Sequence, residues 1–386
     1  MHLKQEIPHS RFKRVMIVAG EASGDLHGSN LVKAIHCIDP QIRFYGIGGE
    51  KLRSAGVEIV SDLSEMAVVG LTEVLSKLGF ILGVRRKLKK ILQEKHTDLL
   101  ILIDYPDFNL SLAKEARKNG VKVFYYISPQ VWAWRKGRIY KIAKLVDRMA
   151  VILPFEAAIY EGVKLDVSFV GHPLLDAIKK KYTREEALKK FDLREGTTTV
   201  GILPGSRDSE VKRLLPAMLK AAEILEDRLP SVQFVLPLAG TLNHDFVAGI
   251  VDRSSANVKI IKDNVYDVIG LSDIAMVASG TATLETAFLG IPMIVVYKIS
   301  TLSYLIGRAI INVDNIGLVN IIAVKTVVPE LVQGDANPER MADEVYDILT
   351  SGARMNEMKR DLIDVSKKLG GPGASKRAAE LVCEMI

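Results

Sequence analysis

Short, continuous apolar runs alternate with amphipathic helical stretches through most of this sequence, and that alternation marks parallel sheets built from strand–helix–strand units. In the first half the predicted strands are 14–19, 42–47, 99–103, 121–126 and 148–153; in the second they are 198–203, 232–236, 257–261, 273–278 and 292–297. Strands covered on both faces read as unbroken apolar runs of this kind. The expectation is an α/β chain of two doubly wound, Rossmann-like domains of similar size that face a cleft, followed by C-terminal helices. Between the two sets of strands lie Gly171-His172-Pro173-Leu174 and then a charged stretch with no strand pattern, which reads as an interdomain connection. The domains are therefore expected at 1–175 and 196–355, with a linker at 176–195 and a helical segment at 356–386. The break Gly370-Gly371-Pro372-Gly373 leaves the last helix either capped within its own domain, crossing back to the first, or exchanged between subunits.

Composition narrows the function classes. Of 386 residues, 48% are apolar, enough for sizeable cores, and 52 basic against 46 acidic residues leave a net charge of +6. So mild an excess suits a nucleotide phosphate or an anionic membrane surface and does not argue for nucleic acid. Cys37 and Cys383 lie at opposite ends with neither metal-ligand spacing nor a paired framework, as in a reduced, cytosolic compartment. The stretch from Val15 to Ala19 is too short for a signal-peptide core and reads as the first buried strand. No run approaches the roughly 18 uninterrupted apolar residues of a membrane span.

The chemistry-bearing residues follow the strands. Leu99-Leu100-Ile101-Leu102-Ile103 leads straight into Asp104-Tyr105-Pro106-Asp107-Phe108-Asn109. Ligands of parallel sheets collect beyond the carboxyl ends of the strands, so Asp104, and after it Asp107, stand where catalysis is done. Either can instead cap the following helix. After the first strand, Gly20-Glu21-Ala22-Ser23-Gly24-Asp25 forms a glycine turn at a helix start, which offers N–H groups to an anion and marks Gly20 and Ser23 as candidates. The spacing fits neither a dinucleotide fingerprint nor a P-loop. Gly205-Ser206-Arg207, with Glu210 beyond it, and Ser279-Gly280-Thr281 repeat the device in the second half. Arg207 is suited to clamp phosphate, and Glu285 either accepts from sugar hydroxyls or serves its own helix as a cap. Two phosphate-binding turns and a carboxylate in one domain fit a nucleoside diphosphate. With no D-x-D pair, H-x-x-x-H pair or Cys/His cluster, neither a metal nor a cofactor is expected.

Three further signals stand open between a functional and a structural reading. Leu71, Val74, Leu75, Leu78 and Leu82 recur at helical spacing and run into Arg85, Arg86, Lys87, Lys89 and Lys90. This is either an interfacial helix that meets acyl chains and anionic headgroups or a buried helix continued by a solvated basic one. Both tryptophans fall in Ser128-Pro129-Gln130-Val131-Trp132-Ala133-Trp134-Arg135, as pocket walls or core. Asn320, with apolar flanks, is either a ligand contact or a satisfied buried amide.

In this order the motifs resemble those of lipid-A-disaccharide synthases, bacterial inverting glycosyltransferases of the two-domain GT-B fold. The resemblance rests on residues 19–25, 104–109 and 128–135, on Leu203-Pro204-Gly205-Ser206-Arg207 with Glu210-Val211, on Ala278-Ser279-Gly280-Thr281-Ala282 with Leu284-Glu285, and on Pro329-Glu330-Leu331. It covers the chain from about Val15 to the end. One departure is Leu318-Val319-Asn320, where the family usually has proline before the asparagine. The resemblance implies transfer of a diacylglucosamine unit from UDP-2,3-diacylglucosamine to 2,3-diacylglucosamine 1-phosphate, in lipid A biosynthesis, with Asp104 as base and Arg207 on the departing diphosphate. It further implies substrate contacts for Asp107, Asn109, Gly205, Ser206, Glu210, Ser279, Gly280, Thr281, Glu285, Asn320 and Glu330. Peripheral contact with the cytoplasmic face of the inner membrane and a homodimer are compatible with it. Rival readings are another GT-B enzyme acting on UDP-GlcNAc and a non-catalytic glycolipid- or nucleotide-binding protein.

Overall fold

In the computed structural model, residues 12–62, 71–94, 96–134, 137–300 and 315–386 are described. The chain folds into two units, one of residues 1–173 and 371–386 and one of residues 174–370. In the first, seven strands run parallel in the order β3-β2-β1-β4-β5-β6-β7. They are β1 (Arg14–Ala19), β2 (Arg43–Gly48), β3 (Glu58–Asp62), β4 (Leu99–Ile103), β5 (Lys122–Tyr126), β6 (Arg148–Val151) and β7 (Asp166–Phe169). The second unit repeats the winding with β8 (Thr198–Leu203), β9 (Val232–Pro237), β10 (Val258–Ile261), β11 (Ile274–Ala278), β12 (Met293–Tyr297) and β13 (Glu330–Val332), in the order β10-β9-β8-β11-β12-β13.

Each expected strand is present, with ends moved by a residue or two. The sequence reading omitted β3, β7 and β13, all of them edge strands. An edge strand is half exposed, so Glu58-Ile59-Val60-Ser61-Asp62 and Asp166-Val167-Ser168-Phe169 are diluted by polar residues and lack a continuous apolar run.

In both sheets the strand order reverses between the first and fourth strands. Ala19 of β1 pairs with Ile103 of β4, and Leu203 of β8 pairs with Val277 of β11. The paired strands end level, and their helices leave to opposite faces. That is the topological switch point at which open α/β sheets bind ligands.

The stretch 176–195, expected as a linker, is an integral part of the second unit. The buried Asp267 carboxylate accepts from the N–H groups of Lys181 (2.7 Å) and Tyr182 (3.0 Å). Thr183 and Glu186 form a reciprocal cap on the helix Arg184–Lys190, whose Ala187 packs with Phe191, Val235, Ile261, Val268 and Leu271. Besides these anchors, Arg184 donates to the Leu271 carbonyl and to Asp273, and Arg194 to the Val232 carbonyl, so charged side chains do much of the holding and the sequence reads as a spacer. The expected boundary at 356 likewise falls inside the helix Gly352–Lys368, and the division between units lies in the glycine run, at 370/371. Beyond it the helix Ala374–Cys383 packs on the helix Ala22–Ile38 of the first unit. Arg377 fixes this crossing by donating to the carbonyls of Val170, Gly371 and Pro372 at 2.8–2.9 Å.

Within the first unit, Asp25 has a plain structural duty. Its buried carboxylate accepts from the N–H groups of Gly49, Lys51 and Leu52 at 2.7–3.1 Å, capping the helix Glu50–Ser54 from a neighbouring helix. Asp25→Ala leaves three N–H groups without their acceptor and is expected to destabilise this unit by about 2–4 kcal/mol. Urea unfolding should show a lower midpoint at unchanged slope.

Candidate active site

The turn after β4 is the most strained part of the first unit. Asp104 and Tyr105 both adopt left-handed backbone conformations, at φ +46° and +43°, and Ile127, just after the neighbouring β5, lies at φ +68°. Aspartate tolerates this region, whereas tyrosine and above all β-branched isoleucine do not. Strain of about 1–3 kcal/mol per residue persists only where the surroundings impose it.

Those surroundings are identifiable. Asn109, fully buried one turn into the helix Pro106–Lys118, donates from Nδ2 to the carbonyls of Ile103 (3.1 Å) and Asp104 (2.7 Å). The Tyr125 hydroxyl donates to the same Asp104 carbonyl at 2.5 Å. Gly20 leaves room for the Tyr105 ring, since a Cβ there would come within 2.2 Å of Tyr105 Cγ. Gly20 and Asn109, expected as substrate contacts, therefore shape the turn that presents Asp104.

The Asp104 carboxyl is held in an acidic, partly desolvated place. Burial and the charge of Glu21 raise its pKa to about 6, against a hydrogen bond from the Tyr105 N–H. A carboxylate poised near neutrality is what a general base requires. Asp107 pairs with Arg138 and is largely exposed, and Ser23 is exposed in the first turn of the helix Ala22–Ile38. Trp132 is half buried and meets Phe155 edge to face, at 5.2 Å between ring centroids.

In the second unit the switch-point turns follow β8 and β11. Gly205 has φ +112°, and a Cβ there would lie 2.3 Å from Glu210 Oε2. Glu210 folds back over this glycine to accept from the N–H groups of Ser206 (3.0 Å) and Arg207 (3.3 Å), and its Oε1 pairs with Arg207 Nη1 at 2.8 Å. Glu210 thus occupies the amides that an anion would use at this turn, while the Arg207 side chain remains 68% exposed. The other turn is open. Gly280, at φ +154°, has space around its α-carbon and precedes the helix Thr281–Phe288, where Gly280 and Thr281 are exposed and Ser279 is half buried. On the same helix Glu285 is largely enclosed; burial raises its pKa, and the Tyr266 hydroxyl donates to it at 3.4 Å.

Asn320 and Glu330 are bound into the protein itself. Asn320 Nδ2 donates to the Val328 carbonyl and to Glu330 Oε1, and its Oδ1 accepts from the N–H groups of Val327 and Val328, all at 2.7–3.0 Å. Glu330 also accepts from the N–H groups of Ile316 and Gly317, at the start of the helix Leu318–Ala323.

The helix Leu71–Glu94 packs through Val84, Leu88 and Leu92 into the core. The side chains of Leu71, Val74, Leu75 and Leu78 lie outside the described residues, whereas Phe80 and Arg86 are exposed and Leu82 is half buried. Arg85 donates to Ser111, Lys87 to the Val60 carbonyl, and Lys89 pairs with Glu115. Among the described residues, no helix is long and apolar enough to cross a membrane.

The sequence pattern of the lipid-A-disaccharide synthetase family matches residues 15–385. The chain is 57% identical over 375 residues to the lipid-A-disaccharide synthase of Syntrophus aciditrophicus, covering 97% of this chain and 98% of that one. It is 51% identical to that of Geobacter metallireducens, covering 97% of both. The chain belongs to the lipid-A-disaccharide synthase family. It is thereby a glycosyltransferase of lipid A biosynthesis. Among solved structures it resembles a UDP-glucosyltransferase from Polygonum tinctorium (TM-score 0.63, 14% identity, 97% of this chain and 99% of that one). It also resembles the UDP-GlcNAc 2-epimerase of Neisseria meningitidis (TM-score 0.63, 13% identity, 96% and 100%). At such identities the shared property is the GT-B fold of two parallel α/β units.

Two carboxylates escaped the sequence reading: Glu21, whose charge acts on Asp104, and Glu156, buried after β6. Each follows a strand end, and that position was the one available signal.

The raised pKa of Asp104 has a thermodynamic consequence. The folded state binds the proton more tightly than the unfolded chain, so acidification through pH 6 towards 4 stabilises and the ionised group is a burden above 6. Asp104→Asn keeps a residue that tolerates the left-handed turn and removes that burden. The variant should be more stable than wild type by about 1–3 kcal/mol at pH 8, with no such gain at pH 4, by denaturant unfolding.

Proposed function

We propose that this enzyme transfers the 2,3-diacylglucosamine unit of UDP-2,3-diacylglucosamine to the 6-hydroxyl of 2,3-diacylglucosamine 1-phosphate, with Asp104 as general base. The observation that carries this reading is the strained turn at the switch point, which presents a carboxyl with a pKa near 6. Asp104 takes the proton of the acceptor hydroxyl as its oxygen bonds to the anomeric carbon. The bond from that carbon to the diphosphate oxygen breaks, and UDP leaves with the electron pair. A single in-line displacement inverts the configuration and yields the β-1,6-linked disaccharide 1-phosphate.

The first unit supplies the acceptor side and the base, and the second holds the nucleotide. Arg207 and the exposed helix start at Gly280-Thr281 stabilise the charge that develops on the diphosphate. Ser279 completes that anion site, and Glu285 holds the ribose. Glu210, Asn320 and Glu330 act at one remove, by fixing the turns around these groups.

Contact with the membrane is peripheral and runs through the helix Leu71–Glu94. Phe80 and Arg86 are exposed apolar and basic groups of this helix, and Lys90, one turn beyond Arg86, is exposed with only a loose 3.6 Å pairing to the exposed Glu94. The partners of Arg85, Lys87 and Lys89 make those cations poor choices for a test. Arg86→Glu with Lys90→Glu should lower the fraction that sediments with phosphatidylglycerol vesicles and leave binding to neutral vesicles unchanged. Equal sedimentation with anionic vesicles would return the helix to a purely structural role.

Turnover by Asp104→Asn should fall about 10²–10⁴-fold, the usual worth of a general base, while UDP affinity stays that of wild type. Disaccharide formation followed by mass spectrometry, with calorimetry of UDP binding, reads both. Normal turnover in the variant overturns the assignment.

A further inference from the structure

We propose that Glu156 is a positioning residue for the Asp104 turn: its carboxyl caps the segment after β6 whose Phe155 and Tyr160 hold the loop after β5. The inference rests on Asp104 as the base and extends it to a carboxyl two strands away. Glu156 opens the short helix Glu156–Ile159 and is 2% exposed. Its Oε2 accepts from the N–H groups of Ile152 (3.2 Å) and Leu153 (3.0 Å), closing the end of β6. The Trp132 ring, in the short helix Val131–Trp134 that follows β5, meets the ring of Phe155, the neighbour of Glu156, edge to face at 5.2 Å between centroids. One turn further on, the Tyr160 hydroxyl bonds Ser128 Oγ at 2.8 Å, so loop 127–132 is stitched to segment 152–160 at two points.

β5 lies between β4 and β6, which sets that loop beside Asp104. Ile127 in its strained conformation begins the loop, and Tyr125, two residues before it, holds the Asp104 carbonyl. A shift of loop 127–132 is therefore a shift of the base.

Among the described residues, the charged or titratable groups that act on Glu156 are Asp104 and Tyr160, neither of them a cation. Arg138, which also acts on Tyr125, is paired with Asp107. Burial raises the Glu156 pKa to about 7, and the charge of Asp104 adds to the rise; hydrogen bonds from the Leu153 and Ile152 amides oppose it. The two carboxyls titrate as a pair. Ionised Asp104 favours a proton on Glu156, and when both are charged the buried carboxylate draws water into the packing that aligns the loop.

The test compares pH profiles of kcat and kcat/KM for wild type, Glu156→Gln, Glu156→Ala and Asp104→Asn, with UDP binding measured for each. Glutamine keeps an oxygen for the β6 amides but never ionises. It should retain wild-type turnover at pH 6.5 and lose the alkaline limb, exceeding wild type about tenfold at pH 8.5, since one proton changes a rate tenfold per pH unit. Its melting temperature at pH 8.5 should also be the higher. Glu156→Ala, with clamp and oxygen both removed, should lose kcat at every pH while UDP affinity is unchanged. An alkaline limb in Glu156→Gln that coincides with wild type, or a Gln variant as impaired as Ala at pH 6.5, overturns the proposal. Full activity in Asp104→Asn is a separate result, and it overturns the base assignment together with the clamp.

Discussion

Everything in the first unit converges on the level ending of β1 and β4. Because Ala19 and Ile103 are paired and their helices leave on opposite faces, the two loops that follow are forced into one small space. One of them must give way, and it is Gly20, which has no side chain to lose. The Tyr105 ring takes that room, and its backbone is pushed into the left-handed region together with Asp104. Asn109 and Tyr125 then hold the Asp104 carbonyl, so the carboxyl direction is fixed by the main chain as well as by rotamer preference. A carboxyl placed this way is preorganised: its direction is set before any ligand meets it.

The second unit solves a different problem with the same winding. Its switch-point turns must be stable without a ligand, and much of their polar surface is satisfied internally. Glu210 closes on the amides of Ser206 and Arg207, and Glu330 with Asn320 secures the start of the helix Leu318–Ala323. Among the described residues of these turns, the Gly280 turn and the Arg207 side chain face solvent as donors of the kind a diphosphate needs. The same residue types that bind anions in one place thus serve as internal caps in another, and composition does not separate the two. Asn320 also bears on the missing family proline at Val319. With its amide held by four partners from Val327, Val328 and Glu330, its position does not depend on the stiffness of the residue before it.

Legibility from sequence followed burial. The central strands were read correctly because both of their faces are covered and nothing polar interrupts them. β3, β7 and β13 were not, because an edge strand with one wet side resembles a loop. The stretch 176–195 reads as a linker for a related reason: its contacts to Asp267, Leu271, Asp273 and Gln233 are made by backbone groups and charged side chains that no apolar pattern marks. Among the site residues, Asp104 and Arg207 could be named from their places after strands, whereas the duties of Asn109, Glu210 and Asn320 are hydrogen bonds to distant or backbone partners that no local pattern encodes.

By itself the sequence determined the class of fold, the winding in two halves and the family, because periodicity and motif order are properties of the chain. The tertiary structure decided which polar residues are left open and which are bound into the protein. Periodicity specifies where a side chain points along its own element, but hydrogen-bond partners and dielectric surroundings come from neighbouring strands and helices. That is why the raised pKa of Asp104 and the burial of Glu156 emerge only when β4, β5 and β6 lie side by side.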